Sequence, residues 1–247
     1  MEESNKVYVN AGILAMCLPG TVLTAQQQED VMNSLLFAEL SARVKHPQAQ
    51  HNTEREQAVQ RMLDNLCWIR LNQPGVVSKS SRSLTVVEVV TAESLSMFPS
   101  RVSSGFVEML ERLKFLPSQK ALNLWHEKTV SPVHSDHTAS TDCPVPDEFN
   151  VCVKFAILDA GSVLHTLMLA FTTHTKLLNN YLSQTIKIEE SAGLHVQAYT
   201  YELNAQCFSR LRESVAEKLK SKKNQYVLPW ACSADGKCPP VLTQQGL

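Results

Sequence analysis

Apolar positions change their period partway along this chain. From residue 24 to 46 they recur every three or four places. Val31, Leu35, Ala38 and Ala42 form one stripe, and Met32, Leu36 and Leu40 widen it, the spacing of a largely buried helix. Thr24 with Gln27 three places on predicts a capping box at its start, and Pro47 predicts its end. Thr53 with Glu56 predicts a second capping box. Val59, Met62, Leu63 and Leu66 then keep helical spacing as far as Cys67 and Trp68, so an antiparallel helix pair is expected. Before both, residues 7–18 read as a strand or a buried segment closed by the turn signal Pro19-Gly20. Residues 84–90 follow a polar loop over 73–83. They are β-branched and read either as a strand or as the lead into a helix capped at Thr91. Ser104 is expected to cap a helix with Phe106, Met109, Leu110 and Leu113 on its stripe. Pro117 ends that helix, and Ser118 opens another running to about residue 128.

Beyond residue 148 the period becomes two. Phe149, Val151, Val153, Phe155 and Ile157 alternate with Asn150, Cys152, Lys154 and Ala156, which predicts a half-buried strand. A turn at residues 159–162 sends the chain back antiparallel over 163–172. Residues 195–203 make a third strand with Tyr199 and Tyr201 on one face. Asn204 is expected to cap a helix over 204–223 carrying Cys207, Leu211, Val215 and Leu219, and residues 226–230 read as a last strand. The predicted class is α+β, a helical N-terminal lobe and an antiparallel-sheet C-terminal lobe with a packed helix. The divisions are 1–130 mainly helical, 131–148 a connection holding Pro132, Pro144 and Pro146, 149–230 the β lobe, and 231–247 a tail.

Composition narrows the function. With 44% hydrophobic and 19% charged residues the chain can bury a core, and a net charge of −1 argues against a nucleic-acid partner held by bulk charge. Glu2 and Glu3 give residues 1–6 the wrong charge for a secretory leader, so synthesis in the cytosol without a signal peptide is expected. No window reaches the roughly 20 apolar residues a membrane-spanning helix needs. Seven cysteines cannot all pair within one chain, and free thiols in a reducing compartment are the expected state. Cys17, Cys67 and Cys152 read as packing, Cys143 lies in the connection, and Cys232 and Cys238 lie in the tail, where an oxidising space would let them pair.

Several chemistries find no support. None of the eight glycines builds a phosphate loop, and no G-x-S-x-G or H-E-x-x-H is present. His134 and His137, near Asp136 and Cys143, lack a second ligand pair for zinc, so no metal is expected. Glu29, Asp30, Glu189 and Glu190 read as solvated acids.

Cys207 stands apart. As third residue of a helix capped by Asn204 it would meet unpaired amides and Arg210, conditions that favour a thiolate, and it shares the apolar face of Leu211 and Val215. His195 and His165 are the candidate bases, although a lone histidine on an apolar strand face is more often a satisfied core residue. Lys218, Lys220, Lys222 and Lys223 complement the end of the same helix, or steer it to an anionic membrane.

Residues 29–40, the helix end at residues 66–70 and the segment 84–90 resemble the Evf-type virulence factors, insect-gut persistence factors of plant-pathogenic enterobacteria. That resemblance implies a similar size, an α/β fold, association with membranes, and a fatty acyl group held as a thioester on an interior cysteine. Cys207 is the position that best matches such a site by context, with palmitate as the implied group.

Three functions are therefore open. The leading one is a non-enzymatic virulence or host-interaction protein, peripheral to a membrane or released. In it Cys207 is S-acylated, the lysines at 218, 220, 222 and 223 face lipid, and the host protein is unknown. The second is an enzyme acting on acyl or thioester substrates with Cys207 as nucleophile and His195 or His165 as base. The third is an insecticidal or structural protein working through its surface, with no special cysteine.

Overall fold

The computed structural model describes residues 6–47, 52–72, 75–79, 83–114, 117–133, 148–188 and 193–231. The first apolar segment becomes a hairpin of β1 (Val7–Asn10) and β2 (Ile13–Cys17). Its two-residue turn holds Ala11 and Gly12 at φ of 52° and 100°, the left-handed pair that matches strand twist. A Cβ at Gly12 would lie 2.6 Å from Cβ of Lys128, so only glycine fits there.

Two helices follow, α1 (Ala25–Lys45) and α2 (Asn52–Asn65). The expected capping box at Thr24 and Gln27 is present, with both reciprocal bonds made. Thr53 instead sits inside α2, and Glu56 turns to Lys154 rather than back to a cap. The loop expected over 73–83 contains strand. β3 (Trp68–Arg70) and β4 (Gly75–Lys79) precede a short β5 (Ser83–Leu84). The open segment 84–90 is settled as the start of α3 (Val86–Met97), capped by a Thr85–Glu88 box six residues before Thr91. Thr91 lies within α3, its hydroxyl donating to the carbonyl of Val87. The next helix, α4 (Ser100–Leu113), starts behind Pro99, so Ser104 is internal to it. Ser118 caps α5 (Gln119–Thr129) as expected, its Oγ accepting from the amide of Ala121.

The later strands are β6 (Val130–Pro132), β7 (Phe149–Asp159), β8 (Val163–Thr173), β9 (Ile186–Lys187) and β10 (Leu194–Leu203). The helix expected over 204–223 is broken into α6 (Ala205–Ser209), α7 (Arg212–Leu219) and α8 (Lys223–Tyr226), and β11 (Val227–Pro229) follows.

The class is α+β, as expected, and the sheet is mixed. Among the described residues its nine strands run β11-β1-β2-β7-β8-β10-β3, with β4 also on β10 and β6 also on β7, while β5 and β9 form a separate ribbon. Every pairing is antiparallel except β2 with β7. The N-terminal hairpin is therefore inserted in the sheet beside the C-terminal strands. Of the connection 131–148, residues 134–147 lie outside the described residues, as does the tail from residue 232.

Helices cover both faces of the sheet. Val151, Val153, Phe155 and Ile157 of β7 meet α3, α4 and α5, together with Phe106, Trp125 and Trp230. Ala156 and Leu158 point the other way, to α1, α2, α6 and α7. The half-buried strand expected from the alternation is covered on both sides, because α1 and α2 lie over the face that carries Cys152 and Lys154; there Ala156 and Leu158 are buried, while Asn150, Cys152 and Lys154 stay partly exposed. No described helix is long and apolar enough to cross a membrane.

Candidate functional site

The register of β10 determines what happens to Cys207. Leu203 pairs with Trp68, so the exit of β10 into α6 lies beside the corner between α2 and β3. Cys67 occupies that corner at φ of 67°, and its carbonyl accepts from the amide of Asn204 at 3.0 Å. Asn204 caps α6 as expected, its Oδ1 accepting from the amide of Cys207 at 2.9 Å. The two sulfurs are bonded, a Cys67–Cys207 disulfide with Cα atoms 5.9 Å apart. Two expectations are corrected here. Cys67 packs against the core beneath α1 and α2 as expected, but it is not a free thiol. Cys207 is exposed and does not point inward, since Phe208 takes the buried position in the five-residue α6. A sulfur already in a disulfide carries neither a nucleophilic thiolate nor an acyl group.

The candidate bases are not brought to it. His195 is exposed near the start of β10, opposite Ala170 and Ser78. At about 3.3 Å per strand residue it is roughly 26 Å along the strand from Leu203. His165 is a satisfied core residue. Its Nδ1 shares a hydrogen bond with Thr200 Oγ1 at 3.1 Å, its ring meets the Phe98 ring edge-on, and burial holds its pKa below the ordinary value.

Two of the acids expected to be solvated, Glu29 and Asp30, are paired. Asp30 is 3% exposed, and Arg212 grips both its oxygens, Nε to Oδ1 at 2.8 Å and Nη2 to Oδ2 at 2.7 Å. Glu29 pairs with Lys223, which turns inward away from its neighbours. Lys218, Lys220 and Lys222 stay exposed, Lys218 over the Phe37 ring and Lys220 beside Glu217. His134, His137, Cys143, Glu189, Glu190, Cys232 and Cys238 lie outside the described residues.

Two features under α1 escaped the sequence reading. The first is a charged network between α1, α2 and β7. Lys154 Nζ lies 2.6 Å from Glu39 Oε1 and 2.6 Å from Glu56 Oε2, and Glu39 is 2% exposed. Burial works to raise the Glu39 pKa, but Lys154 and then Arg43 outweigh it and hold it below the ordinary value. Lys154 is raised in turn, its carboxylate partners overcoming burial. Burial pushes the neighbouring Cys152 thiol up to about 11. The signal was an acid on the apolar stripe of α1 and a lysine inside an apolar strand.

The second is a cavity of about 40 Å³ between α1 and the sheet. Ala15, Val31, Leu35, Ala156, Leu158 and Leu164 line its depth, with Met16 and Met32. Cys17 faces it, and Gln28, Glu29 and Lys223 are its polar residues. Burial pushes the Cys17 thiol up to about 11, so it stays protonated at neutral pH. Cys17 is thus the interior thiol on an apolar face, the setting expected of Cys207.

No protein-family model matches the chain. No curated protein matches it either. Among solved structures it is similar to activated Cyt2Ba monomer from Bacillus thuringiensis subsp. israelensis, at 10% identity and a TM-score of 0.39 over 78% of this chain and 98% of that one. It is also similar to a delta-endotoxin, at 13% identity and a TM-score of 0.37 over 77% and 80%. The Evf virulence factor matches weakly as well, at 11% identity and a TM-score of 0.30 over 89% and 85%.

Proposed function

We propose that this chain is a non-enzymatic host-interaction protein that holds the alkyl tail of a lipid in the cavity beneath α1 and meets anionic membranes through α7 and α8. The cavity carries the lipid reading: its depth is apolar, its polar groups are Gln28, Glu29 and Lys223, and the exposed lysines lie on the adjoining helices. The host-interaction part follows the sequence resemblance to the Evf-type factors. The interior thiol that an S-acyl group requires is Cys17 rather than Cys207. The cysteine-enzyme reading loses its support, because its nucleophile is bonded to Cys67 and its base His195 is far along β10.

Delipidated protein titrated with cis-parinaric acid, a fluorescent fatty acid, is expected to show saturable binding. Ala15→Leu, which fills the cavity, should weaken that binding at least tenfold while the protein still melts cooperatively. An unchanged curve for Ala15→Leu rejects the site. Intact mass before and after hydroxylamine reads the covalent form. An acyl increment lost in Cys17→Ser and kept in Cys207→Ser is expected, and the reverse result restores Cys207. In co-sedimentation with anionic vesicles, each of Lys218→Gln, Lys220→Gln and Lys222→Gln should weaken binding about fivefold at low salt, following about 1 kcal/mol per lysine near the surface.

A further inference from the structure

We infer that residues 205–226 form a strap over the mouth of the cavity, latched by the Cys67–Cys207 disulfide, and that reduction of that bond opens the cavity to its ligand. The inference rests on the lipid reading and adds its regulation.

The cavity is small. About 40 Å³ exceeds the roughly 10–15 Å³ that one water occupies and falls well short of the roughly 150 Å³ of a cavity that takes benzene. An alkyl chain enters only when a wall moves. Two sides are tied firmly. The floor is the sheet, where β2 runs beside β7. The roof is α1, fixed from below by the Glu39–Lys154–Glu56 network and alongside by α2.

The remaining wall is different in kind. Lys223 and Val227 reach the cavity from α8 and the start of β11. The chain leading to them is three short helices with no long run of backbone bonding to the rest of the molecule. It is held by the buried side chains of Phe208, Val215 and Leu219, by Arg212 on Asp30 and by Lys223 on Glu29. At the far end a single covalent tie joins it to the corner after α2, across 140 residues of sequence. Both ion pairs anchor to the N-terminal half of α1, beside the mouth. The tie is at the surface, since Cys207 is exposed, so a soluble reductant reaches it.

The chemistry balances with a thiol reductant of the glutathione or dithiol class. It supplies two electrons and two protons, the S–S bond breaks, Cys67 and Cys207 become thiols, and the reductant leaves as its own disulfide. A disulfide persists in an oxidising space and is lost in a reducing one, so the strap reports the compartment. The protein would stay closed outside a cell and open on reaching a reducing interior.

The test compares oxidised protein, chemically reduced protein and a Cys67→Ser/Cys207→Ser double variant. It follows amide hydrogen exchange and the uptake rate of cis-parinaric acid. Reduction is expected to speed exchange across residues 205–226 while the amides of α3, α4 and α5 stay unchanged, and to raise the uptake rate at least fivefold. Arg212→Gln in the oxidised protein should give a smaller rise in the same segment, and it keeps the inference testable if the double variant does not fold. Strap exchange that ignores reduction, or exchange that rises equally everywhere, overturns the latch. A strap that responds to reduction in a protein that takes up no probe in either state keeps the latch and rejects the lipid reading.

Discussion

The two faces of the sheet are built on different principles. Against α3, α4 and α5 the contacts are mostly apolar and aromatic, with neutral polar groups such as Thr129 and Tyr181 bonded to one another. Trp125 stacks on Tyr181 with ring centroids 4.5 Å apart and meets Trp230 edge-on, and a Cβ at Gly105 would lie only 2.4 Å from Leu18 Cδ1. Against α1 and α2 the same sheet buries a lysine between two glutamates, leaves a cavity, and carries the covalent tie. The first face has no room to spare. The second takes in a charged network and empty space that a stability core excludes, which is the pattern of a surface kept for binding.

Substitutions separate the two. Trp125→Ala should cost about 3–5 kcal/mol in urea unfolding, as for other large core truncations. Lys154→Met should cost a similar amount, about 3–5 kcal/mol, for the opposite reason, by stranding the buried Glu39 carboxylate and the half-buried Glu56. The two losses differ in rescue. Adding Glu39→Leu and Glu56→Leu to Lys154→Met should recover most of the stability, and failure to recover it would mean the network is more than a local charge balance. Next in size, the Cys67→Ser/Cys207→Ser variant should lose about 2–4 kcal/mol through its large closed loop, read as a lowered denaturant midpoint. Smaller again, Gly105→Ala should cost about 1–3 kcal/mol by overpacking the first face, whereas Ala15→Val on the second should stay within about 0.5 kcal/mol because the cavity receives the methyls. The smallest effect is with pH. His126 and His165, on the first face, have pKa values lowered by burial, so the unfolded chain binds more protons below their ordinary 6.5. Their contribution is present above that pH and is lost as pH falls below it toward the folded values. Glu39, on the second face, is also lowered, so its contribution is present above about 4.5 and is lost only as pH falls further. A melting temperature followed from pH 7.5 to 3 should fall in two stages, with His165→Gln flattening the upper one.

Much of this was legible where the cause is local. The box at Thr24, the cap at Ser118, the strands around residues 149–173 and 195–203, and the cap at Asn204 rest on neighbours within a few residues. The α+β class followed from the change of period. What failed depended on partners distant in sequence. Glu56 was read as a capping residue because its spacing from Thr53 is right, yet Lys154 claims it from 98 positions away in a strand that α2 covers. Asp30 looked solvated until Arg212 reached it. Cys207 was placed correctly on its helix and wrongly on its face, because α6 ends after one turn and Phe208 wins the interior. Its partner follows only from the pairing of β10 with β3, which no local pattern encodes.

The pairing of β1 with β11 has a consequence for how the protein is made. Val9 lies opposite Leu228, so β1 waits for a strand made much later along the chain, and Trp230 reaches the aromatic cluster only with it. Until then β1 is a sheet edge with unpaired amides, a state prone to mispairing. Nascent chains stopped before residue 227 should remain open to protease in the hairpin, and the sheet should close only once β11 has left the ribosome tunnel to lie against β1.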